Sequence, residues 1–134
     1  MLRKIIIALL VLGMVGVGIA YLQYNKSHRD IVAEEATIEV TAVALFDAYA
    51  TNEKGANKMY LDQVMVVSGE ILELDKVNNM VVFKTEDDFG TVNASFDEPS
   101  YLEGLTEGKQ IEVKGHCTGG DDLGVIITHC SILK

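Results

Sequence analysis

Val67-Ser-Gly69-Glu-Ile71 and, 46 residues later, Val113-Lys-Gly115-His-Cys117 are the stretches that decide the fold of this 134-residue chain. In each copy apolar groups fall at every second position around a glycine, the period of a strand buried on one face. A glycine inside such a strand predicts a sharp bend there. Two bent strands predict a small closed barrel.

The segments around them fill in the rest. Val64 to Leu74 is long enough to bend at Gly69, and Asp75 to Asn79 reads as a turn. Met80 to Lys84 and Thr91 to Phe96 read as strands separated by the loop Glu86-Asp-Asp-Phe-Gly90, with Phe83 and Phe96 placed inside the barrel by their apolar alternation. Pro99 to Leu105 reads as a short helix with proline in its first turn. Lys109 to Thr118 and Val125 to Leu133 form a last pair around Gly119-Gly-Asp-Asp-Leu-Gly124. Upstream, Ala42, Leu45, Phe46 and Tyr49 lie at i, i+3, i+4 and i+7, with Ile38 one turn earlier. That spacing predicts an amphipathic helix capped by Thr41, or starting nearer Thr37, whose apolar face plugs one end of the barrel. Asn52-Glu-Lys-Gly55 interrupts it, and Ala56 to Tyr60 adds a turn or two. A helix, three strands, a short helix and two strands is the layout of a mainly β, five-stranded OB-fold barrel.

At the N-terminus, Arg3 and Lys4 precede 18 residues, Ile5 to Leu22, without a charge or strongly polar group. As a helix this run is about 27 Å long, close to the thickness a spanning helix must cover. It predicts a transmembrane anchor over residues 1–24, with Gly18-Ile-Ala20 as a cleavage site if the segment is instead a signal peptide. Residues 25–36 form a linker, and 37–134 the barrel domain with its helix. Lys26 and Arg29 oppose Arg3 and Lys4 across the run, but so short a basic N-terminus favours an inside start and an extracytoplasmic, periplasmic domain. Tyr21 and Tyr24 suit the interfacial belt.

Beyond residue 30 the chain carries 7 Lys or Arg against 19 Asp or Glu, a net charge of −12. Such a surface repels polyphosphate, whose binding relies on Lys and Arg displacing counterions, so nucleic acid is an unfavoured partner. No nucleophile elbow, phosphate-binding glycine loop or His-Glu-x-x-His is present, and the reading is of a non-enzyme without a cofactor. His116, Cys117, His129 and Cys130 form two adjacent pairs, yet successive strand residues face opposite ways and make a poor common zinc site. The acidic loops, Glu86, Asp87 and Asp88 in one and Asp121 and Asp122 in the other, are candidates for holding a cationic ligand, beside the plainer reading of solvated loops.

Leu45-Phe-x-Ala-Tyr49-x-x-Asn52-Glu53, Ala56-Asn57-x-x-Tyr60, Val67-x-Gly69-x-Ile71, Val113-x-Gly115-x-Cys117 and Ile127-x-x-Cys130-x-Ile132 together resemble the bacterial OB-fold family described as tRNA anticodon-binding-like. The likeness spans residues 41–134 and implies a fold related to nucleic-acid binders, which does not carry function with it. The arrangement closes strands in the order 1-2-3-5-4-1, placing Cys117 inward and Cys130 on the neighbouring strand. The two are then either a disulfide, contributing about 2 to 4 kcal/mol in an oxidising compartment, or reduced thiols packed as small apolar groups. The functional expectation is a membrane-tethered binding module for a protein, peptide or cationic ligand. Single-stranded nucleic-acid binding and a structural envelope role are the alternatives.

Overall fold

The computed structural model describes residue 7, residue 11, residues 13–21 and residues 33–133. The chain divides into two compact units, Met1–Asp30 and Ile31–Lys134. In the first, the described residues are helical; the rest of the Ile5–Leu22 run expected to span a membrane lies outside them. Among the described residues no helix is long and apolar enough to cross a membrane.

The second unit runs β1 (Ile38–Thr41), α1 (Ala42–Tyr60), β2 (Val64–Asp75), β3 (Met80–Phe83), β4 (Thr91–Ser95), a 3₁₀ turn at Pro99–Leu102, β5 (Gln110–Gly120) and β6 (Gly124–Ile132). Strands β2, β3, β4, β6 and β5 pair in that order and close through β2–β5. All contacts around the ring are antiparallel except β4–β6, which run parallel with Thr91 opposite Gly124. This is the five-stranded OB barrel expected. Its two glycine-bearing strands lie side by side, Val67 opposite Val113. The inward set, including Met65, Val67, Ile71, Val81, Phe83, Val92, Val113, Val125 and Ile127, is at most 1 % exposed.

The glycines serve close packing. A Cβ on Gly69 would sit 2.9 Å from the Phe83 ring and 3.0 Å from Ala42 Cβ; one on Gly115 would sit 2.5 Å from Ile127 Cγ2 and 2.6 Å from Cys130 Sγ. The register irregularities fall nearby, between Ile71 and Glu73 in β2 and between Lys114 and His116 in β5.

Helix α1 starts at the cap foreseen: the Ala44 amide donates to Thr41 Oγ1 at 3.1 Å. The interruption is real too. Asn52 leaves helical geometry (φ −156°, ψ 85°) and its Oδ1 accepts from the Gly55 amide at 3.1 Å, so it caps a second helical segment. The earlier start near Thr37 is corrected. Ile38–Thr41 is a strand parallel to β2, Ile38 opposite Met65 and Thr41 opposite Ser68, and the Thr37 amide donates to the Val64 carbonyl at 3.2 Å. The pairing offered by β2 decides the conformation over the helical spacing of Ile38. The helix read at Pro99–Leu105 shortens to the 3₁₀ turn, with Leu102 and Leu105 still buried.

The disulfide is corrected as well. Cys117 and Cys130 are both free and buried. Cys117 pairs across the hairpin with Ile127, whereas Cys130 packs at Gly115, two residues away along β5. That step alone is about 7 Å of strand, beyond what a disulfide spans without backbone movement.

Candidate functional site

The barrel has two ends, each closed by an apolar plug. At one end α1 packs against the end of β5 and against β6, β2 and β4, with Leu45, Phe46 and Tyr49 buried. A Cβ on Gly90 would fall inside the Phe46 ring, so only glycine lets the β3–β4 loop close over it. The Tyr49 hydroxyl lies 3.6 Å from Cys117 Sγ. Burial, then this contact with Cys117, pushes the Tyr49 phenol well above its ordinary value. At the other end Leu102 and Leu105 fill the opening, Phe96 stacks on Tyr101 with centroids 5.9 Å apart, and the Phe96 amide donates to the Asn79 carbonyl at 2.8 Å.

Both acidic loops emerge at the α1 end, because β4 and β6 run parallel and begin together. The Thr91 amide donates to the Leu123 carbonyl at 3.3 Å. The loops share a sequence pattern, Asp87-Asp88-Phe89-Gly90 and Asp121-Asp122-Leu123-Gly124, and one hydrogen bond; the second is also closed by the Asp121 amide donating to the Gly124 carbonyl at 2.9 Å, the first by Thr85. Asp87 Oδ1 accepts from the Phe89 amide at 2.9 Å; Asp121 Oδ1 accepts from the Leu123 amide at 2.8 Å and from Gly124 at 3.0 Å. Each first aspartate thus ties its own turn, an Asx turn. Thr85, buried beneath the first loop, holds it from below, its Oγ1 2.6 Å from the Gly90 carbonyl and 2.9 Å from that of Asp87.

Neither the second aspartate nor the apolar third residue is used by these turns. Phe89 is 86 % exposed and Leu123 67 %. Burying such a side chain is worth about 1.5 to 3 kcal/mol, which each forgoes here. Leu123 also lines a shallow depression on the outside of β4, β5 and β6 with Thr91, Asn93, Thr118 and Ile126, the last 51 % exposed. Apolar residues between an aspartate and a glycine in a loop were the available sequence signal. A third turn of this kind, Asp75-Lys76-Val77-Asn78, stands at the opposite end. Asp75 Oδ1 accepts from the Val77 and Asn78 amides at 3.0 and 3.1 Å, and the Asn78 side chain, the largest cause, holds the Asp75 carboxyl below its ordinary value. Its tip, Val77, is likewise exposed.

The remaining candidates disperse. The cysteines lie inside the wall; burial, then the nearby Asp97 charge, pushes the Cys130 thiol far up. His129, at φ 52°, turns to Asp97, with Nδ1 2.9 and 3.0 Å from the two carboxylate oxygens. His116 Nε2 sits 3.5 Å from Asp62 Oδ1 and completes no hydrogen bond. The structure brings neither histidine to its neighbouring cysteine's face, and no group of three or more metal-type ligands gathers among the described residues. The described lysines are divided among α1 (Lys54, Lys58), the turn at Lys76, the loop starts at Lys84 and Lys109, and Lys114 in β5.

The residues that carried the family resemblance prove to be architectural: Tyr49 and Tyr60 stack at 6.2 Å, Asn52 caps the helix break, and Ala56 is buried. The tRNA_anti-like family matches residues 1–132. A candidate nucleic acid-binding lipoprotein from Klebsiella pneumoniae subsp. pneumoniae is similar over 81 % of this chain and 100 % of its own, at 18 % identity and a TM-score of 0.57, a likeness of fold. An asparaginyl-tRNA synthetase from Entamoeba histolytica, solved with asparaginyl-adenylate, is similar over 54 % of this chain and 21 % of its own, at 13 % identity and a TM-score of 0.34. No curated protein sequence matches the chain.

Proposed function

This chain belongs to the tRNA_anti-like family, and on that premise we propose that its barrel is a non-catalytic binding module, tethered to the membrane by residues 5–22 and held outside the cytoplasm, that takes a protein, peptide or cationic ligand. The observation that carries this reading is the chemistry of the barrel face where OB folds take ligands, the outside of their second and third strands with the adjoining loops. Here that face presents Met80 and Val82 from β3 and Thr91, Asn93 and Ser95 from β4, with no Lys or Arg within either strand, and the loops adjoining it set Lys76 and Lys84 against the more numerous carboxylates Asp75, Glu86, Asp87, Asp88, Asp121 and Asp122. A groove for single-stranded nucleic acid needs a basic track with stacking aromatics; Phe83 and Phe96, the aromatic residues of this wall, are buried in the core. The 18-residue apolar run supports the tether, and the very short basic N-terminus, against the matching Lys26 and Arg29 beyond the run, supports the orientation.

The nucleic acid-binding description of the Klebsiella neighbour favours a second reading, that of a single-stranded nucleic-acid binder. One titration separates them. The full chain in neutral detergent is mixed with a labelled oligothymidylate at low salt and again near physiological salt, a step that costs a protein with several phosphate contacts about 10³-fold in affinity. The proposal expects no binding at either salt. Tight binding that collapses with salt would replace it with the second reading.

A further inference from the structure

Phe89 and Leu123 each stand two residues after an aspartate whose Oδ1 accepts from their amide, in loops that lead into neighbouring parallel strands, and neither side chain serves its turn. Thr91 pairs with Gly124, so the loops are staggered by one residue, and each apolar tip is preceded by an aspartate, Asp88 or Asp122, that makes no hydrogen bond in its turn. Ile126 extends the apolar surface along β6. We propose that Phe89, Leu123 and Ile126, flanked by Asp88 and Asp122, form a docking surface for a basic segment of a partner protein, an extended stretch in which Lys or Arg alternates with large apolar residues.

The choice of occupant follows from charge. An exposed carboxylate stands next to an exposed apolar side chain in both loops, so the complement is a segment that sets basic residues next to apolar ones. An anionic lipid surface and polyphosphate are repelled by Asp88 and Asp122 together with Glu86, Asp87 and Asp121. A second copy of the chain would bring the same carboxylates against each other across an isologous contact. An extended peptide provides such a segment, because alternate residues of a strand point the same way, so Lys or Arg and apolar side chains can be presented in turn. The site is also built in advance: Thr85, Asp87 and Asp121 hold both turns by hydrogen bonds, which lowers the ordering cost of binding.

This surface rests on the reading of the barrel as a protein- or peptide-binding module, and the test separates the two. The probe is a synthetic peptide of alternating Lys and Phe, compared with a Lys-Ser peptide of equal charge, each titrated into the full chain in neutral detergent by fluorescence anisotropy. The expected result is at least tenfold preference for the Lys-Phe peptide. The double variant Phe89→Ser/Leu123→Ser should lose about tenfold or more, and Asp88→Asn/Asp122→Asn severalfold, with a flatter salt dependence. Val77→Ser, the same kind of exposed tip at the other end of the barrel, is the control and should bind as the parent does. All these positions are exposed, and unchanged melting confirms that each variant is folded. Equal binding of the two peptides, or equal losses from Val77→Ser and the Phe89/Leu123 pair, overturns the docking surface while leaving the module reading in place. Absence of peptide binding together with salt-sensitive binding of oligothymidylate overturns both.

Discussion

The two ends of the barrel are closed by the same means and finished differently. Each has an apolar plug, Leu45, Phe46 and Tyr49 of α1 at one end and Leu102 and Leu105 at the other. Each has an Asx turn with an exposed apolar tip. At the far end there is one such turn, with Lys76 between the aspartate and the tip; at the α1 end there are two, with an aspartate in that place. Turn chemistry is therefore common to both ends and explains neither the doubling nor the sign of the charge. What remains after the shared scaffold is subtracted, a second acidic loop and a second apolar tip, is what sets the α1 end apart and where the docking surface is proposed.

Stability measurements can break this comparison. The largest expected effect is at the α1 end, where Phe46→Ala removes a ring that fills the space beneath Gly90 and should cost about 3 to 5 kcal/mol. Leu102→Ala at the far end should cost about 2 to 4 kcal/mol, since a smaller side chain leaves a smaller cavity. Urea denaturation of the full chain followed by tyrosine fluorescence checks both, and the reverse order would make the far-end plug the principal one. Asn52→Ala removes a helical cap at a solvent-facing break and should cost about 1 kcal/mol.

Alkaline titration sharpens the same contrast. Each end holds a buried acid whose proton the fold retains, the Cys130 thiol on the Asp97 side and the Tyr49 phenol under α1. Both are raised in the folded state, so their contributions are complete below the ordinary values, 9.0 for the thiol and 10.0 for the phenol, and fall away as the pH climbs beyond those values. Stability should begin to decline above pH 9.0 through Cys130. Cys130→Ala should remove that first decline, and Tyr49→Phe should alter the curve only above pH 10.0. A Cys130→Ala curve that still bends at the lower pH would assign the decline to another group.

The barrel was legible because its strands keep period-two alternation over long stretches, and the pairing of Val67 with Val113 lies between the two segments that announced it. β1 was not. Ile38-Glu-Val40-Thr41 alternates for only four residues, and Ile38 stands one helical turn before Ala42, so local pattern supports both conformations until β2 supplies hydrogen bonds. Cys117 was placed correctly facing inward and Cys130 on the neighbouring strand, but their separation depends on register shifts at Lys114/His116 and Cys117/Gly119 that counting residues does not reveal. The acidic loops were visible as acid. That they emerge side by side depends on β4 and β6 being parallel, a property of the closed sheet.

Strand β1 also decides how the barrel meets mechanical load. The chain arrives from the N-terminal side through Ile38–Thr41, which lies parallel to β2 in register from Met65 to Ser68. A pull along that direction shears the β1–β2 ladder, so that its hydrogen bonds resist together instead of parting one at a time. The five strands of the ring close on one another without β1. Tension is therefore taken first by the four residues of β1 and passes next to α1, whose Phe46 lies beneath the β3–β4 loop.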